Sequence, residues 1–488
     1  MADSAMPGSL VVPVTDLRQV VLSGPGVEVG AGLATSALRS VARVSAVGAV
    51  LEQVEVVGGR RRSLTPSVVT VLILGLCLFS GEGYSGVLAR LWPLLGTFNP
   101  GLLLGGPVSA VALSAARARL PVAVMRGLFE AGAVRSGVEP GYGQRVFGFL
   151  VTAVDGTVFD VAATTAMRAR FAVPSGGRFP QVRVVTLVVC GTRRVLGAVL
   201  DSAAVSEQAL WDRLVGQLRV GTVNLADRNF FSMHRWRTAS ATGAHLVWRV
   251  KNGRKSLPAR VSTELVDGSY LVRLRESDAM LTARRKAVGD PKAARLADIT
   301  ARMVEFTVTL TDRSGRCSFS RFRVLTTLLD PQAYPAAQVA ACYAERWQVE
   351  VAYKTIKSSL RGPGRRLRGQ SPDLAEQEIW ALLTVYNAVV DHAVAAAVDL
   401  DIDPDQISFT HVLRAVRDQF APVPACGNCG QYTARQPGDL KTAIIAGPRN
   451  QPRNPRTSPR TVQDRKTQHT RNVSYMITIG KANLPRAT

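Results

Sequence analysis

Cysteine is scarce in this chain: Cys77, Cys190, Cys317, Cys342, Cys426 and Cys429 are spread over 488 residues, too few and too scattered for a disulfide framework. Only Cys426-Gly-Asn-Cys429 has metal-ligand spacing. Without a second pair, and with His411 as the one histidine nearby, it reads as a reduced loop and not a zinc site. Long apolar runs are also lacking. The longest, Val68 to Phe79, is about twelve residues, whereas a membrane span needs about 20, so it reads as a buried helix. The first thirty residues carry Asp3, Pro13 and Asp16 and no basic-then-apolar pattern, so a cytoplasmic chain without a signal peptide is expected. Acids are outnumbered: 36 Asp and Glu stand against 60 Lys and Arg, a formal net charge of +24. Such an excess calls for a polyanionic partner, and with no membrane segment that partner is nucleic acid.

The length suggests two to four domains at about 150 residues each. Residues 1–19 read as a flexible arm, and 20–135 as an all-α unit. Helical spacing appears in Ala37-Leu38-x-x-Val41-x-x-Val44; Thr65-Pro66 starts a helix with a cap and a first-turn proline. A second helix from Tyr84 is expected to end at Pro93, and others open at Gly106-Pro107 and Pro121. With Arg117, Arg119 and Arg126 these suit a helix-turn-helix-like DNA-binding module, or else a plain helical cap.

Ser136 to Gly143 is a linker, after which the chain turns β-rich. Arg145 to Val161 predicts a hairpin turning at Asp155-Gly156. Two further strands follow, then a helix capped by Ser206, a strand ending at Asp227, and a helix from Phe230-Phe231. That is the order of a ribonuclease H-like α/β core. More strands over about 244–330 precede a helix at Tyr334-Pro335. Residues 421–488 read as a disordered basic tail, since 431–488 hold eleven Arg or Lys against two acids and carry too little apolar surface to offset chain entropy.

The helix after Pro335 carries Tyr343, Arg346, Glu350 and Lys357. At about 100° per residue all four fall on one face, with Val349 and Ile356 opposite. An acid between two bases and a phenol is either a solvated stripe of i,i+4 pairs or a ligand-facing one. The spacing Tyr-x2-Arg-x3-Glu-x6-Lys, with Arg323 to Asp330 upstream and Leu367-Arg-Gly-Gln-Ser-Pro372 downstream, resembles the DDE transposases of bacterial insertion sequences in the insertion sequence 4 group. Gly369 and Gln370 depart mildly from the downstream pattern.

The resemblance, over roughly Val20 to Asn387, implies a ribonuclease H-like catalytic domain at 145–400 with a mixed sheet, a β-insertion at about 244–330, and an N-terminal DNA-binding domain at 20–135. Asp155-Gly-Thr and Leu225-Ala-Asp227-Arg-Asn-Phe-Phe look like the family's aspartate motifs. It therefore implies Asp155, Asp227 and Glu350 as catalytic ligands for two Mg2+ ions, with Mn2+ able to substitute, and Tyr343, Arg346, Lys357 and Arg228 as DNA contacts. Hard carboxylates suit that chemistry. The separations, 227 − 155 = 72 and 350 − 227 = 123 residues, require tertiary convergence. Asp160 and Asp201 are rivals for the first position. Trp248 and Trp347 are aromatics for stacking on a base, or else core residues. The implied activity is cut-and-paste DNA transposition at terminal inverted repeats and target DNA by a nucleoid-associated synaptic homodimer. A silent DNA-binding relic and a repair nuclease are the alternatives.

Overall fold

The computed structural model describes residues 44–56, 64–99, 101–102, 108–135, 145–252, 257, 259–311, 317–420, 440–450 and 474–480. The expected arm, the 37–43 part of the first helix and the Cys426–Cys429 loop lie outside them.

Among the described residues five helices come first: α1 (Val44–Gln53), α2 (Pro66–Leu78), α3 (Tyr84–Phe98), α4 (Ala110–Arg119) and α5 (Val122–Arg135). Thr65 caps α2 through the Val68 N–H, with Pro66 in the first turn. Val68 to Leu78 are all buried, which is why α2 is apolar on every face. Gly75 lets α3 lie close, for a Cβ there would meet Leu91 Cδ1 at 2.2 Å. Against expectation, α3 runs through Pro93: the ring removes one backbone donor, but Leu91, Leu94 and Leu95 around it are buried and hold the helix in place. Arg117, expected on a DNA-facing surface, is buried instead, donating to Leu374 O at 2.8 Å and Tyr84 Oη at 3.2 Å.

β1 (Arg145–Val146) turns into β2 (Phe149–Asp160) at Phe147-Gly148, both at positive φ. Then follow α6 (Thr165–Arg170), β3 (Gln181–Val189), β4 (Val195–Ser202), α7 (Glu207–Leu214), β5 (Thr222–Ala226), α8 (Met233–Ser240) and β6 (His245–Arg249). The expected turn at Asp155-Gly156 does not form. Both residues lie inside β2, which pairs with β3 from Thr152↔Val189 to Asp160↔Gln181. Gly156 serves a close approach: a Cβ there would meet the Glu207 carboxyl at 2.6 Å.

β7 (Ala259–Glu264), β8 (Tyr270–Leu274), α9 (Asp278–Val288), β9 (Ile299–Thr311) and β10 (Cys317–Thr326) lead to α10 (Ala336–Ala344), α11 (Trp347–Lys354) and a π-helical turn at Thr355–Leu360. α12 (Pro372–Asp399), α13 (Phe409–Asp418), α14 (Leu440–Ile445) and β11 (Ser474–Ile479) complete the described elements. The strands form one mixed sheet in the order β4-β3-β2-β5-β6-β10-β9-β8-β7, with β11 on β9. β2, β5 and β6 run parallel, joined by helical crossovers. β6 is therefore a strand of the central sheet and not the start of the expected insertion at 244; the added strands follow Arg249 and widen the same sheet. Within the expected tail, α14 buries Leu440 and Ile444, and β11 pairs with β9 from Ser474↔Thr311 to Ile479↔Phe306. Composition averaged over 421–488 hides these two short apolar stretches.

One apolar cluster joins α11, α12 and the N-terminal helices to the sheet face bearing Val151, Ala153 and Phe159. The other face, bearing Val154, packs on α7 and α8. α12 is long and apolar enough to cross a membrane by composition, at 28 residues, but 72% of its apolar window is buried in the protein.

Candidate catalytic site

Register and face together bring the acids to one place. β2 and β5 pair in parallel as Ala153↔Leu225, and two residues further on that register sets Asp155 beside Asp227. Side chains alternate along a strand, so Asp155 shares the face of Ala153, the face that α11 covers. Glu350 stands on α11.

Arg346 joins them. Its guanidinium donates to Glu350 at 2.8 Å and lies 3.7 Å from Asp155 Oδ2. Burial works to lower its pKa, but the negative fields of Tyr343, Asp155, Asp227 and Glu350 outweigh burial and raise it. Asp227 accepts the Arg228 N–H at 2.7 Å and faces Arg249 Nη1 at 3.7 Å. Asp155, whose side chain is 18% exposed, has a pKa pushed up to about 7. Burial is the chief cause; Arg346 and the Gly156 N–H pull it down, while Glu350 and Glu207 add to the rise. As the side chains stand, no three acidic, histidine or cysteine groups among the described residues are close enough to hold a metal ion. A guanidinium stands where the acids converge.

The expected single helix from Pro335 is divided. Near Glu345 and Arg346 the backbone tightens to i→i−3 bonds, including Arg346 N to Tyr343 O and Val349 N to Arg346 O, and past Lys354 it loosens into the π-helical turn. Tyr343, Arg346, Glu350 and Lys357 still lie on the side of the acids, although the pitch is not uniform. Tyr343 is buried, with its ring tilted against Phe322. Arg346 turns inward to the acids, and Lys357 lies over the Phe159 ring at 5.2 Å. Arg228 is exposed. Trp248 is fully buried among Trp211 and Trp236 and donates to Asn224, a core role. Trp347 is half-buried. Neither rival acid reaches the site. Asp160 falls on the opposite face of β2 from Asp155 and accepts from Gln181; Asp201 is held by Arg170 and Arg213.

Three further residues belong to the site. Arg249 and Glu207 come from elements whose placement only the sheet order reveals. Tyr353 carried a sequence signal, three residues after Glu350 on the same helical face. Its hydroxyl donates to the carbonyl of Asp155 and lies 2.8 Å from Thr186 Oγ1, docking α11 across β2 and β3. Tyr353→Phe is expected to cost about 1–2 kcal/mol of stability by urea unfolding. An unchanged midpoint would remove the docking role.

Comparison with known proteins adds the following. The profile of the family described as Transposase DDE domain matches residues 147–388, and that described as Insertion element 4 transposase N-terminal matches 33–130. The chain is 27% identical over 268 residues to Transposase InsG for insertion sequence element IS4 of Escherichia coli K12, covering 54% of this chain and 57% of the relative. It is 45% identical over 60 residues to the Transposase for insertion sequence element IS421 of Escherichia coli, covering 12% of this chain and 16% of that one. The match thus spans little more than half the length of the first relative. Among solved structures, the cryo-EM piggyBac transposase synaptic complex with hairpin DNA aligns at a TM-score of 0.41 and 9% identity, over 89% of this chain and 87% of that one.

Proposed function

This chain belongs to the insertion element 4 family of DDE transposases, and we propose that it cuts DNA at the ends of a mobile element and joins those ends to target DNA. Asp155, Asp227 and Glu350 are the catalytic carboxylates of this reading. The observation that carries it is that the Arg346 guanidinium pairs with Glu350 and lies 3.7 Å from Asp155, within the field of Asp227.

The DDE family generally uses divalent metal ions. The chemistry of the donors suits them, since three carboxylates supply hard oxygens; as the side chains stand the three are not close enough to hold an ion, and Arg346 pairs with two of them. Asp155, Asp227 and Glu350 would hold Mg2+ or Mn2+, which would supply activation of the attacking oxygen and charge neutralisation at the leaving one. Arg346 has to turn out of the carboxylates to admit ions, and DNA phosphates arriving at the site give its charge a new partner. Arg249, 3.7 Å from Asp227, orients its carboxylate, and Tyr353 holds Asp155's strand against Glu350's helix. Lys357 and the exposed Arg228 contact the DNA backbone, with buried Tyr343 supporting Arg346 from behind.

In this proposal the helical region at 20–135 recognises the terminal inverted repeats, residues 145–400 form the catalytic domain, and two copies pair the ends in a synaptic complex in the cytoplasm. The test is to incubate the purified chain and Mg2+ with a plasmid bearing the repeats that flank its gene. Double-strand cleavage at both ends is expected. End binding without cleavage in either Mg2+ or Mn2+ would replace the proposal with a catalytically silent DNA-binding protein.

A further inference from the structure

A cavity of about 750 Å³ opens between the turn after α2 and the loop joining the π-helical turn to α12, and none of the three carboxylates lines it. Its walls carry the guanidinium groups of Arg361, Arg365, Arg366 and Arg368 and the carboxylates of Glu82 and Glu378. Both acids are committed elsewhere. Glu82 accepts from Arg90 at 2.6 Å; Glu378 accepts the N–H groups of Arg368 and Gly369 at 2.8 and 3.1 Å and faces Arg117 at 3.6 Å. Arg365 and Arg368 donate to carbonyls of Ser80 and Glu82, which fixes them as walls.

Arg361 is held differently. Its Nε and Nη1 are out of solvent with no hydrogen-bond partner. Leaving two donors of a charged group unpaired is costly unless a ligand supplies the acceptors. Its guanidinium lies over the Phe159 ring at 5.3 Å, beside Lys357 over the same ring, and Arg366 lies over Phe179 at 4.2 Å. Phe159 shares its strand and face with Asp155, four residues or about 13 Å along at about 3.3 Å per residue. Lys357 and Arg361 prolong the helical run that bears Glu350. Lys357 and Arg361 thus share one ring on the strand that runs on from Asp155, and Arg361 and Arg366 both line the cavity.

We infer that Arg361, with Lys357 and Arg366, is a phosphate-binding step for the backbone of a DNA strand leaving the carboxylates, and that the Arg361 donors take the oxygens of one phosphodiester at the cavity mouth. Cations on aromatic rings that reach from the strand of the carboxylates to the cavity suit the backbone of a DNA strand bound at the site. The ligand rests on the DNA reading above, but binding here needs no metal and no cleavage.

The test therefore runs in EDTA, measuring anisotropy of a labelled duplex across a range of NaCl concentrations. Arg361→Gln is expected to lower the slope of log K against log salt by about one, and to remove one phosphate from the ethylation-interference pattern. Arg361→Lys keeps the slope. Arg366→Gln changes an exposed residue and lowers the slope likewise, so it decides the matter if the Arg361 variants fail to fold. Wild-type slope and interference pattern in the folded Gln variants overturn the inference. So does calorimetric binding of inorganic phosphate or ATP that Arg361→Gln abolishes while the duplex slope stays intact, which is a free-phosphate site. A protein that shows the expected slopes yet never cleaves DNA overturns the catalytic reading and leaves this one standing.

Discussion

Replacing any one of Asp155, Asp227 or Glu350 by alanine is expected to reduce both end cleavage and strand transfer by about a thousandfold or more, while end binding survives. In the proposed reaction the same three carboxylates serve both displacements, so one loss stops both. The losses should not add: a double variant is no worse than a single one, because residues acting as a unit fail together. Asp160→Asn and Asp201→Asn retain activity, since their carboxylates are engaged by Gln181 and by Arg170 and Arg213 away from the site. The raised pKa of Asp155, about 7, adds a readout independent of turnover. Below that pH the folded metal-free protein holds a proton on Asp155 that a divalent ion must displace, so titration with Mg2+ at pH 6 releases a proton and Asp155→Ala does not. The same shift sets a stability trend. Between about pH 4 and 7 the folded state binds more protons at this group than the unfolded chain does, so its contribution falls as pH rises. A Glu350→Ala protein that still joined pre-cleaved ends would end the assignment.

How much of this was legible in the residues alone depends on what each signal encodes. The start of α2 at Thr65-Pro66 and the Ser206 cap of α7 were readable because caps are local. Asp155-Gly156 misled for the same reason. The dipeptide favours a turn locally, and only the approach of Glu207 and nine paired residues of β3 make it mid-strand. The parallel place of β6 depends on a crossover through α8, which no local pattern states. The arginines that hold the acids divide in the same way. Arg346 is four residues from Glu350 and was visible as a neighbour; Arg249 reaches Asp227 only through the order of strands. A wheel put Tyr343 on the face of Arg346 and Glu350, where it does lie, but could not show that Phe322 of the added strands packs against its ring and that the phenol is buried there.

Arg302→Ala is expected to destabilise the protein by about 3–5 kcal/mol, because it strips the cation from a buried network and leaves its partners behind. Arg302 is fully buried on β9. It donates to Ser269 Oγ at 2.8 Å, to the carbonyl of Tyr334 at 2.6 Å, to that of Leu328 at 3.3 Å, and to the Asp267 carboxylate. Asp267 in turn accepts the N–H of Ala336 at 2.8 Å, in the first turn of α10. The network thus pins the start of the helical run that delivers Arg346 and Glu350 to the sheet. Alanine leaves the half-buried Asp267 carboxylate without its cation and the Leu328 and Tyr334 carbonyls without this donor, whereas Arg302→Ala with Asp267→Ala removes both charges and should recover part of the loss. The acid limb gives a second measure. Burial favours the neutral form of Asp267, but Ser269, the Ala336 N–H and Arg302 outweigh it and depress the pKa. A depressed carboxylate stabilises the fold above its unfolded value of about 3.9, and that contribution is lost as pH falls through the folded value. Arg302→Ala should therefore shift acid unfolding to higher pH as well as lower the urea midpoint. A midpoint and an acid limb both unchanged would mean that the network does not anchor α10. Faster amide exchange in the first turn of α10, with β2 and β3 unaffected, is the local signature that ties the loss to this anchor and not to general weakening of the sheet.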